Sequence, residues 1–159
     1  MASGIDALDA RLLELLHREP RIGVLEASRR LGVARGTVQS RLDKLMAGGV
    51  VRSLGLEIDP AAIGYGVMAF VTVEISQERG HDAIAVHLRD IPEVLEAHTI
   101  TGEGDVLLRV VARSNADLQR VIDQVVATAG IRRTTSAIAL QTQIPYRVLP
   151  LLRQAAAER

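Results

Sequence analysis

Residues 24–47 read VLEASRRLGVARGTVQSRLDKLMA, and the spacing inside this stretch decides the N-terminal fold. Ser28, Gly32 and Val38 follow one another at intervals of four and six. A tight helix-turn-helix needs a small residue in its first helix, where the second helix packs against it. It needs a glycine four residues later, because the turn takes a positive φ. A β-branched apolar residue six positions on then plugs the helix pair. Helices are predicted over 24–31 and about 35–47, the second ended by Gly48-Gly49. On that second helix Val38, Leu42, Leu45 and Met46 form the apolar face. Thr37, Ser40 and Lys44 point outward, with Gln39 and Arg41 on the flanks. Such a face suits a major groove: Arg and Gln reach base edges, while Ser, Thr and Lys hold phosphates. Arg29, Arg30 and Arg35 are further candidate phosphate contacts. A three-helix domain with a solvated basic face, serving protein contacts, has the same spacing.

Toward the N-terminus, Leu8, Leu12, Leu15 and Leu16 recur at helical period, predicting a helix over 5–18. Asp6 and Asp9 stand near its start, where the helix dipole favours anions. Pro20 and Gly23 stop the pattern. Toward the C-terminus, residues 50–59 change to the alternation of a strand, followed by Asp59-Pro60 and Gly64-Tyr65-Gly66 as a hinge. The predicted division is a winged-helix-like helix-turn-helix domain over 1–50, a linker strand and hinge over 51–66, and a second domain over 67–159.

In the second domain, strands are predicted at 67–76, 94–101, 105–113 and 132–142. A helix carries Ile84, Leu88 and Ile91, capped by Asp82 and stopped by Pro92. Another carries Leu118, Val121, Ile122, Val125 and Val126 behind Ser114, with Asp117 three residues on as in a capping box. The tail from Pro145 reads as a strand remnant and a short helix. The order β-α-β-β-α-β is the ferredoxin-like one, so the fold class is α+β. Its two helices cover one face of the sheet. Yet Val67, Ala69, Val71 and Val73 alternate with Met68 and Phe70, and Val106, Leu108 and Val110 with Leu107 and Val111. A sheet apolar on both faces wants cover on both. A second copy of the chain supplies it, through Met68, Phe70, Leu107 and Val111.

The totals narrow the class of protein. Among 159 residues, 48% are hydrophobic, enough for a packed core. No run of about 18 apolar residues occurs, which argues against a transmembrane helix, and no exported leader is visible. Cysteine is absent, which excludes disulfides and thiolate metal sites. These features fit a cytoplasmic protein. The net charge is zero, but residues 1–52 hold nine basic and six acidic groups, and the remainder ten and thirteen. Opposite signs on the two halves suggest different partners. The histidines at 17, 81, 87 and 98 lack metal spacing, and His98 reads as a half-buried strand residue. No nucleophile elbow or catalytic constellation stands out.

The ordered series of these pieces resembles the Lrp/AsnC regulators, the leucine-responsive or feast/famine family, over roughly residues 5–145. Residues 5–13, IDALDARLL, resemble its opening LDxxDxxIL, and Glu19-Pro20-Arg21 its DxR turn. Residues 25–45 resemble its helix-turn-helix, Gly49-Val50-Val51 its GxI, and Asp59-Pro60 its NP. Gly102-Glu103-Gly104-Asp105 resembles its GxxD turn. Ala34-Arg35-Gly36 stands where the family often has a Ser-Pro-like helix start, and no aromatic follows the turn. The resemblance implies a homodimer, assembled into an octamer or another ring of dimers. It also implies an amino acid or related metabolite bound between subunits near the GxxD turn. Carried over, the effector residues are Thr101, Gly102, Glu103, Gly104 and Asp105, with Thr134 and Ser136 on the last strand. Backbone N–H groups at a glycine turn hold a carboxylate, and Asp105 pairs with an ammonium. The same four residues also make an ordinary tight hairpin.

The function expected is sequence-specific, effector-responsive transcription regulation on double-stranded DNA, without catalysis, cofactor, metal or membrane. Two other readings use the same residues. One is a metabolite-binding module or small ferredoxin-like enzyme whose N-terminal helices dock a protein. The other is a nearly non-specific architectural DNA binder.

Overall fold

A computed structural model describes residues 4–76 and 81–157, with side chains from Ile84 onward in the second span. The chain divides into two compact units, residues 1–56 with 144–159, and residues 57–143.

The first unit holds α1 (Ala7–Arg18), α2 (Val24–Leu31), α3 (Arg35–Ala47) and α6 (Leu149–Ala157). Helix α1 starts on a complete capping box. Asp6 Oδ1 accepts the N–H groups of Leu8 and Asp9, each at 2.9 Å, and Asp9 Oδ2 accepts that of Asp6 at 3.1 Å. Between α2 and α3, Gly32 takes φ +70°, and Val33 N–H donates to the Ser28 carbonyl at 3.1 Å. A side chain at that φ strains the backbone, which is why the turn needs glycine. Ser28 is buried and its hydroxyl donates to the Leu25 carbonyl at 2.8 Å. Leu12, Ala27, Leu31, Val38 and Leu45 form the core of this unit. Met46 differs from the expected apolar face, being 44% exposed in the last turn of α3.

Residues 140–157 also depart from expectation. The sequence reading runs the last strand to 142, gives the tail from Pro145 a strand remnant and then a short helix, and keeps all of it with the second domain. In the structure the strand ends earlier, and α6 packs on α1. Leu152 is buried there, and Arg153 Nε donates to Glu14 Oε1 at 2.5 Å. Nothing local in the sequence specifies a contact 139 residues apart.

The second unit opens with a 3₁₀ turn, Ala61–Ile63, in the expected hinge. It continues as β1 (Val67–Ile75), α4 (His81–Arg89), β2 (Val94–Thr99), β3 (Val106–Ala112), α5 (Asn115–Val126) and β4 (Ile131–Ala139). The sheet order is β2-β3-β1-β4, antiparallel throughout, which is the expected βαββαβ arrangement. Ala69, Val71, Val73, Leu108 and Val110 are fully buried against Ile84 and Leu88 of α4 and Leu118, Val121 and Val125 of α5. Ser114 Oγ caps α5 by accepting Asp117 N–H at 3.1 Å. The return bond goes one residue further back than in a capping box: Asp117 Oδ2 accepts the N–H of Arg113 at 2.9 Å. The cap expected of Asp82 lies outside the described side chains.

The predicted linker strand has no ladder with any described residue: residues 52–58 carry no strand. Leu54, Leu56 and Ile58 alternate as a strand would, and are 61%, 93% and 66% exposed. Their alternation is real, but no partner for it lies among the described residues of this chain.

Candidate nucleic-acid interface and effector site

Helix α3 sorts its side chains by period. Val38, Leu42 and Leu45 are buried, while Arg35, Gly36, Thr37, Gln39, Ser40, Asp43 and Lys44 are exposed. Arg35, Thr37, Ser40 and Lys44 make no side-chain hydrogen bond or ion pair to a described residue, so their donors are open to an external partner. Gln39 Nε2 donates to Asp43 Oδ1 at 2.8 Å along the helix. Ala34 caps α3 with no side-chain bond, and the first N–H groups of the helix stay available to a phosphate. On α2, Arg29 is mostly exposed and lies 3.6 Å from Glu26. Arg30 is held by both Glu26 and Glu19, which raise its pKa, Glu26 most. Arg30 therefore brings less free charge than the sequence suggests.

Arg41 corrects the sequence reading. It is expected to reach base edges, but its Nη1 donates to Asp6 Oδ2 at 2.5 Å and Asp9 Oδ1 at 2.8 Å. These bonds raise the Arg41 pKa and hold the Asp6 carboxyl below its usual range, the Arg41 hydrogen bond being the main cause there. The guanidinium turns toward its own domain.

In the second unit, residues 100–105 join β2 to β3. Ile100 N–H closes the turn on the Asp105 carbonyl at 3.0 Å, and Gly102 and Gly104 take φ +106° and +85°. Thr101, Gly102 and Glu103 are exposed. Gly104 is required twice over: its φ is left-handed, and a Cβ there would stand 2.3 Å from Thr72 Cγ2. Asp105 is also engaged. Its N–H donates to the Val73 carbonyl at 2.9 Å, and its Oδ2 accepts Ile75 N–H at 2.6 Å, where the β1–β4 register shifts. The carboxylate expected to meet an effector ammonium thus already ties the turn to β1. Thr134 and Ser136 stand opposite Val73 and Val71 on β4. Directly paired residues share a face, so these two lie on the helix-covered side, away from Thr72. The seven effector candidates do not converge on one pocket in a single chain.

The uncovered sheet face carries the expected apolar set. Met68 pairs with Val111, Phe70 with Arg109, and Thr72 with Leu107. Phe70 is 40% exposed and Leu107 half-buried, but Val111 is 5% exposed. Val111 lines a concavity of about 900 Å³ with Ile58, Ile63, Tyr65, Leu95 and Arg109, so its own chain already shelters it. Tyr65 is fixed by Arg113, which stacks 5.1 Å from the ring and donates to its hydroxyl at 3.2 Å.

The Lrp/AsnC ligand binding domain model matches residues 68–149, and the AsnC-type helix-turn-helix model matches residues 5–46. The chain belongs to the Lrp/AsnC family. It is 31% identical over 143 residues to the transcriptional regulator AldR of Mycolicibacterium smegmatis, covering 88% of this chain and 84% of that one. The structure of E. coli AsnC superposes with TM-score 0.84 at 28% identity, covering 92% and 99% of the two chains. The feast or famine regulatory protein of M. tuberculosis, complexed with L-methionine, superposes with TM-score 0.79 at 30% identity, covering 89% and 96%. The protein is accordingly a helix-turn-helix transcriptional regulator with a ligand-binding domain.

Three features of this Lrp/AsnC chain escape its sequence pattern. Arg109 places a charge on the uncovered face, 3.7 Å from Glu96, with a buried Nε that has no partner among the described residues. Its place in strand alternation is readable; its burial is not. Ala27, fully buried, shares the small-residue role given to Ser28. His98 is exposed beside Glu96 rather than half-buried. Among the described residues no group of three or more His, Cys, Asp or Glu side chains has metal-binding geometry, and no helix is long and apolar enough to cross a membrane.

Proposed function

We propose that this regulator reads specific duplex DNA with α3 and answers to an amino acid or related metabolite held between subunits. The outer face of α3 carries the DNA part: five exposed polar or basic residues, Arg35, Thr37, Gln39, Ser40 and Lys44, on a helix whose inner face is fully packed. Gln39 reads base edges, while Lys44, Arg35, Thr37 and Ser40 position the helix on phosphates, with Arg29 flanking. Lys44→Ala then weakens every duplex alike and lowers the salt slope by about one, while Gln39→Ala blurs sequence preference. Equal specificity ratios in both variants would contradict these roles.

The effector reading rests on Thr101, Gly102, Glu103 and Gly104, with the free oxygen of Asp105. Two left-handed glycines leave backbone N–H groups for a carboxylate, and Glu103 offers a charge for an ammonium. L-methionine in the M. tuberculosis relative supports a ligand of this class. Thr134 and Ser136 contribute only from the other face of the sheet. Met68, Phe70 and Leu107, partly exposed on the sheet face away from the helices, favour a homodimer through that face. Rings of such dimers, an octamer among them, fit a site between subunits. The protein works by binding, in the cytoplasm, and uses no cofactor or metal.

A further inference from the structure

We infer that Asp6 and Asp9 are positioning residues for DNA recognition, acting through Arg41. The inference rests on the reading of α3 as the DNA-contacting helix. Each carboxylate divides its two oxygens between two tasks. Asp6 Oδ1 and Asp9 Oδ2 serve the capping box of α1, and Asp6 Oδ2 and Asp9 Oδ1 hold Arg41. The N-terminus of α1 thereby grips the middle of α3. Asp9 side-chain exposure is only 10%, so this acid is held in place rather than solvated. The clasp borders a concavity of about 500 Å³ whose other walls include Gly36, Thr37, Ser40 and Lys44, the residues that face DNA.

Two acids beside a phosphate-binding face repel DNA. Removing one on grounds of charge alone tightens binding. The clasp demands the opposite sign. Without its second carboxylate, Arg41 loses one of two charged bonds, and α3 loses the tie that fixes how far Thr37, Ser40 and Lys44 project. Arg41 touches no DNA in this arrangement, so its loss leaves the phosphate count unchanged.

The test uses the full-length chain and fluorescence anisotropy with one preferred and one scrambled duplex over a range of salt. Asp9→Asn is expected to weaken the preferred duplex about fivefold and lower the specificity ratio, at an unchanged salt slope. Asp6→Asn is expected to do the same with at most a small fall in melting temperature, because asparagine caps a helix as well as aspartate and only the partly exposed charged bond to Arg41 is lost. Arg41→Lys, which keeps one charged bond, falls between wild type and Arg41→Ala. Tighter binding by either Asp variant overturns the clasp, as does a salt slope lower by about one in Arg41→Ala, which marks a phosphate contact. Failure of the wild type to bind either duplex overturns the DNA reading instead, and the clasp with it.

Discussion

At Gly104 the backbone sits at φ +85° with Thr72 Cγ2 where a side chain would go. Gly104→Ala is therefore expected to cost about 1–3 kcal/mol, from φ strain and the clash together. Adding Thr72→Ala recovers the clash and not the φ strain. Urea denaturation of the single and double variants checks this; an unchanged midpoint in the single variant would show that the turn relaxes freely. Neighbouring residues show what local reading reaches. The glycine turn at 102–105 was legible because Gly-rich spacing states a backbone requirement. The engagement of Asp105 with Ile75 was not, since it depends on a register shift in a strand 30 residues away. Arg41 is the same case: a helical wheel gives its direction, but its partners lie 32 and 35 residues away.

Elements were legible where one period governs them. Helix α3 buries Val38, Leu42 and Leu45 as its 3.6-residue repeat requires. The cap of α5 follows from Ser114 and Asp117 alone, and Ser114→Ala is expected to lose about 1 kcal/mol in thermal or urea unfolding. No loss there would mean that Asp117, through the Arg113 N–H, carries the cap by itself. Residues 52–58 mark the limit of periodicity. Leu54, Leu56 and Ile58 write a strand, but a strand exists only with a partner, and a sequence does not say where that partner is. Helix α6 is the converse, a correctly read helix whose packing on α1 no local pattern announces.

Across the whole molecule, fold class and the uncovered sheet face follow from the order of elements and from strands apolar on both sides. Phe70→Glu puts a carboxylate on that face beside Met68 and Leu107. It is expected to shift sedimentation toward the monomer while leaving the helix-covered core intact. An unchanged sedimentation profile would place self-association elsewhere. The effector candidates of one chain are split between a turn and the opposite face of β4, so the proposed site would need a second copy to complete it. The central claim is DNA recognition governed by a metabolite. It is tested most directly by fluorescence anisotropy of the wild-type protein at physiological salt, comparing its own upstream DNA with a scrambled duplex, with and without pooled amino acids. A preference of about a hundredfold that shifts when amino acids are added is the predicted result. Equal, weak binding to both duplexes, indifferent to amino acids, would contradict it and mark an architectural DNA binder.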